Sequence, residues 1–188
     1  EFEDQNIYAF DASKKAIHKL KQNIDLNKIK NISYFNIGIG DKNIEAYFNE
    51  DINDLKNDGS FRFTQNKNYE KIKIYKLDDI FENDKISIKK NIVIKLDLEG
   101  FDFLALKGLT KTLNKSKVII FIEISKMLLE NSKNFSKKFK LFIKNNKLNI
   151  YDLNLKNKNV DEIIKSINTI DINNETIGDY IISNHKLL

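Results

Sequence analysis

The chain contains no cysteine, which removes disulfides, thiolate metal sites and a cysteine nucleophile together. With only two histidines, neither a Ser-His-Asp triad nor a histidine metal site is expected, so no metal is assigned. Arginine is almost missing, Arg62 being the single example. The net charge of +5 therefore rests on Lys, scattered among carboxylates along the whole chain. Nucleic-acid surfaces concentrate their charge and favour Arg for bidentate contacts, so no specific nucleic-acid partner is expected. No apolar run approaches the ~20 residues of a membrane-crossing helix, no secretory leader is visible, and a cytoplasmic location fits. A Walker A loop, a G-x-S-x-G elbow and an H-E-x-x-H pair are all lacking. Gly38-Ile-Gly40 offers a G-x-G, but Asn43 stands where a dinucleotide fingerprint needs its third glycine.

What is present suits one folded domain spanning 1–188. Hydrophobic residues make up 41% and charged residues 31% of the 188, enough to bury a core. Ile7-Tyr-Ala-Phe10 predicts a strand, followed by Ser13 as N-cap of a helix carrying Ala16, Ile17, Leu20 and Ile24 on one stripe. Strands are predicted over 31–37, 44–48 and 70–77, with a polar surface loop over 49–68 and Asp78-Asp79 capping a short helical turn. Ile92, Val93, Ile94 and Leu96 form an almost continuous apolar run, as a strand buried on both faces does. A helix with Phe101, Leu104, Ala105, Leu109 and Leu113 on its stripe follows, then a second fully buried strand, 117–124. A helix around Phe135, Phe139, Phe142 and Ile143, a strand over 148–155, a helix over 160–167 and a last strand over 179–183 complete the order. Helices alternating with strands predict an α/β fold with a mostly parallel sheet covered on both faces.

Carboxylates recur at the strand ends: Asp11, Asp41, Asp97, Glu99 and Glu123. Open α/β sheets place ligands at the carboxyl ends of their strands. Asp97 and Glu99 are two apart and project from one face if the strand persists through them. A carboxylate after an early strand offers two acceptors to the vicinal diol of a ribose. The bland alternative for Asp11 is a second helix cap beside Ser13, and for the other acids it is ordinary solvation of a strand end.

Several short motifs come in a telling order: Tyr8-Ala-Phe-Asp11, Asn23-Ile-Asp-Leu-Asn27, Gly38-Ile-Gly-Asp41, Lys76-Leu-Asp-Asp79, Lys95-Leu-Asp-Leu-Glu-Gly100, Leu106-Lys-Gly108 and Ile122-Glu-Ile124. Together they resemble the FkbM-type family of S-adenosylmethionine-dependent O-methyltransferases, over roughly residues 7 to 125. The resemblance implies a Rossmann-like class I methyltransferase sheet with a final antiparallel strand. It also implies methyl transfer from S-adenosylmethionine to a hydroxyl of a sugar, glycan or polyketide-like acceptor. By the same resemblance Asp11 holds the ribose hydroxyls, where the family more often has Glu, and Asp41 lies near the adenine. Asp97 and Glu99 serve the methyl and acceptor groups, Asp97 also counting toward the cofactor. Gly59, Ser60 and Glu123 border the acceptor. In that family a first strand and an Asp/Glu-x-Gly-x-Asn-x-Gly loop precede the segment matching Tyr8, and this sequence has neither. The expectation is a domain incomplete at its N-terminus, lacking the strand between 7–11 and 92–97, that binds cofactor poorly by itself. The rival reading, from another class, is a non-catalytic Rossmann-like domain that binds a glycan or a partner protein.

Overall fold

A computed structural model of the chain describes residues 5–50, 61–64, 70–83, 86, 90–98, 100–124, 134–168 and 178–187. It resolves into two units, Glu1–Tyr75 and Lys76–Leu188.

In the first unit β1 (Ile7–Asp11) pairs in parallel with β2 (Ile32–Asn36), and α1 (Lys14–Leu26) connects them. Parallel neighbours need such a crossover. The helix starts as its sequence predicts, because the Ser13 hydroxyl accepts the Ala16 N–H at 3.1 Å and satisfies one orphan donor. At its far end Lys28 turns left-handed, with φ 53°. A four-stranded sheet follows in the order β3-β6-β4-β5, from β3 (Gly38–Ile39), β4 (Ile44–Glu50), β5 (Phe61–Thr64) and β6 (Glu70–Tyr75). Only the β3–β6 pair in it is parallel. Ile72 and Ile74 of β6 are buried, with Ala12 and Ala46 packed against them. Two expectations need correcting. β5 lies inside the stretch read as loop, and β6 stops at Tyr75 because Leu77 already belongs to a helix.

The second unit opens with that helix, α2 (Leu77–Glu82), and continues through β7 (Asn91–Leu96), α3 (Asp102–Lys107), α4 (Thr110–Lys115) and β8 (Lys117–Ile124). Next come α5 (Phe135–Asn145), β9 (Asn149–Asp152), β10 (Asn157–Lys158), α6 (Val160–Asn168) and β11 (Gly178–Ser183). The five strands form one sheet in the order β10-β9-β11-β8-β7. β7 and β8 are parallel, while β11 runs against both β8 and β9. The fold is thus α/β, but this sheet is mixed. Val118, Ile120, Ile122 and Ile124 fill one face of β8, all 2% exposed or less. In the helical layer Phe103 meets Phe135, Phe139 and Phe142 edge to face, at centroid distances of 5.3, 5.5 and 5.8 Å. Such aromatic pairs add about 0.5–1.5 kcal/mol each beyond their buried area.

Three further expectations change here, the first together with the capping role read for Asp78. The helix expected from Phe101 to Leu113 is two helices, broken at Gly108–Leu109. Asp78, expected to cap its own helix, reaches across instead. Its backbone N–H donates to Gly108 O at 2.9 Å, and its carboxylate accepts the N–H groups of Lys111 and Thr112 at 2.7 and 2.9 Å. The Thr112 hydroxyl adds a third bond at 2.7 Å. Asp78 is 5% exposed, so these bonds satisfy a buried charge and supply α4 with the cap its own sequence lacks. Second, β7 and β8 are not buried on both faces, since Val93 is 69% and Phe121 39% exposed. Third, the strand expected over 148–155 ends at Asp152, and a turn through Leu155 (φ 60°) leads to β10.

Candidate active site

In the second unit the strand-end acids converge on one sheet face. Side chains alternate along a strand, and paired residues share a face. Lys95 of β7 pairs with Phe121 of β8, and Glu123, two residues on, pairs with Asp179 of β11. Asp97 follows β7 directly and accepts a bond from Lys95 Nζ at 2.6 Å. Two carboxylates directly opposite, as Glu123 and Asp179 are, repel each other. The ammonium of Lys95 offsets this. Its pKa is raised first by the bond to Asp97 and further by the charges of Asp179 and Glu123. The resulting face is polar, with Phe121 half-exposed beside the carboxylates.

β7 ends at Leu96, so the strand does not persist through Asp97, the condition for Asp97 and Glu99 to share a face. The chain turns instead. Phe101 N–H donates to Leu98 O at 3.0 Å, and Gly100 adopts φ 88°, a value that favours glycine. Beneath the turn lies Asp102, 1% exposed, whose Oδ1 accepts the Leu98 N–H at 3.3 Å. Burial pushes the Asp102 carboxyl up to about 6, and the like charge of Asp97 adds to this. Its own N–H and those of Leu98 and Gly100 pull the other way. Glu99, Gly59 and Ser60 lie outside the described residues.

The first unit holds the other two acids. Asp11 ends β1, and its Oδ1 accepts the Ser13 N–H at 2.7 Å. The helix-cap alternative for Asp11 is therefore real. Asn36 Nδ2 donates to the carbonyls of Asp11 and Ala12 at 3.1 and 2.9 Å, which ties the end of β1 to the end of β2. Asp41 follows β3 and the buried Gly40, whose N–H donates to Tyr75 O at 2.9 Å. A Cβ on Gly40 would stand 2.9 Å from Ile74 Cγ2, so glycine there allows β3 its close approach to β6. β1 and β3 are neighbours within the unit, which puts Asp11 and Asp41 at the ends of adjacent strands.

Lys95, Asp179 and Asp102 were not among the expected site residues. Lys95 stood in plain view within a quoted motif. Asp179 became visible only through the antiparallel register, and Asp102 only through its burial.

The family model described as methyltransferase FkbM domain matches residues 3–151. Among solved structures, the chain is similar to methyltransferase FkbM from Methylobacillus flagellatus KT, at 14% identity and a TM-score of 0.42. That alignment covers 95% of this chain and 36% of the other, so the chain spans about a third of that protein's length. No curated protein matches the chain.

Proposed function

The chain belongs to the FkbM methyltransferase family, and from that premise we propose that it is part of an S-adenosylmethionine-dependent O-methyltransferase domain with a Rossmann-like sheet. The acceptor is a hydroxyl of a sugar, glycan or polyketide-like molecule, and the enzyme works in the cytoplasm. The observation that carries this reading is the polar strand-end face of Lys95, Asp97, Glu123 and Asp179, within reach of an exposed Phe121.

S-adenosylmethionine supplies an electrophilic methyl group. In-line methyl transfer depends chiefly on alignment, and fixed carboxylates align a hydroxyl by accepting its hydrogen bond. Asp97 orients the acceptor and contributes to the cofactor site. Glu99 is the candidate to take the hydroxyl proton as it attacks. Glu123, with Gly59 and Ser60 of the 49–68 segment, borders the acceptor. Asp11 fits the ribose, because its carboxylate stands at a strand end beside a helix start, and Asp41 fits the adenine side. This sequence offers no glycine-rich loop for the methionine part. β7 pairs with β8 alone among the described strands, and its other edge leaves room for a further strand, outside this sequence, that completes the sheet.

Calorimetry on the full-length protein with S-adenosylhomocysteine tests the reading. Micromolar binding that weakens at least tenfold in Asp11→Ala is expected. Absence of binding to the full-length protein would leave a non-catalytic binding domain and end the enzyme reading.

A further inference from the structure

The turn that follows β7 depends on a side chain that motif and family reading passed over. The Leu98–Phe101 turn has one internal backbone bond and a glycine in a left-handed conformation. The Leu98 N–H finds its acceptor in a side chain. Asp102 supplies the acceptor from below, at the start of α3, with its carboxylate almost wholly removed from water. Burying an ionised carboxyl is costly unless it is well bonded. We propose that Asp102 is a positioning residue, a latch beneath the strand-end turn that fixes the approach of Asp97 to the polar face. The role for Asp97 rests on the function proposed above, whereas the latch itself does not.

The latch has a sign that can be worked out. When the turn opens, Asp102 meets water and its carboxyl returns toward the ordinary 3.8; when closed it stands near 6. The closed turn therefore holds a proton more tightly than the open one, so acid favours closure. Asp97 is the charged neighbour acting on Asp102, and it is itself bonded to Lys95. Between pH 7 and pH 5 closure should strengthen about tenfold.

The experiment is amide hydrogen exchange by NMR, from pH 5 to pH 7.5, on the full-length protein and its Asp102→Asn and Asp102→Ala variants. After correction for intrinsic exchange rates, the Leu98 and Gly100 amides of the wild type should gain about tenfold in protection from pH 7 to pH 5. Asp102→Asn keeps an acceptor for Leu98 but should lose the pH step. Asp102→Ala should exchange at least tenfold faster at both amides, with the Ile120 and Ile182 amides as steady references. Identical pH profiles in the wild type and Asp102→Asn overturn the proposal, as does protection in Asp102→Ala within twofold of wild type. Should the alanine variant not fold, the asparagine comparison decides alone. S-adenosylhomocysteine affinity on the same samples separates the two claims: a wild type without affinity ends the proposed function, while the exchange data still decide the latch.

Discussion

Two neighbouring strands share nearly the same alphabet, Ile92-Val-Ile-Lys-Leu96 in β7 and Val118-Ile-Ile-Phe-Ile122 in β8, and sit in different surroundings. β8 has β7 on one side and β11 on the other, and its inward side chains are essentially sealed from water. β7 pairs with β8 alone among the described strands. Its inward Ile92 and Ile94 are only half-buried, and its outward Val93 is 69% exposed. An apolar string declares that a strand wants two covered faces. What covers them is decided by partners that the string does not encode.

That contrast can be tested by substitution, with stability read from urea unfolding of the full-length protein. Ile120→Ala, at the sealed centre of β8, should cost about 3–4 kcal/mol, since the site has little room to collapse. Ile94→Ala stands opposite it in register and should cost less, about 1–2 kcal/mol, because its side chain already meets water. Val93→Thr should fall within about 0.5 kcal/mol of wild type. Equal losses at Ile94 and Ile120 would erase the contrast. A loss at Val93 above about 1.5 kcal/mol would show that its face of β7 is covered in the full-length protein.

Much of this architecture was legible in advance, where local chemistry decides. Ser13 caps α1 because a hydroxyl at that position reaches the third N–H beyond it, whatever the rest of the chain does. The family resemblance implied a final antiparallel strand, and β11 is antiparallel. Tertiary partners decide the remainder. The apolar stripe through Leu104 and Leu113 predicts one helix, yet the chain breaks at Gly108 because Asp78 takes hold of the following N–H groups from more than thirty residues away. β5 was hidden because its four residues gain their strand character from pairing with β4. Asp11 and Asp97 stand out in the sequence by their position at strand ends. The rule that acids gather at strand ends does not distinguish Asp102, which holds the turn, from Asp97, which faces out beside Lys95.

The order β9-β11-β8 has a consequence for how the chain assembles during synthesis. β11 is the last described strand to leave the ribosome and stands between two that leave before it. Until residue 183 emerges, β8 offers one open edge to its surroundings and β9 has only the two-residue β10 beside it. The nascent chain thus carries β8 half-dressed from the emergence of residue 124 to that of residue 183, the circumstance in which sheet proteins aggregate. The sheet of the second unit is complete only when β11 stands between β8 and β9.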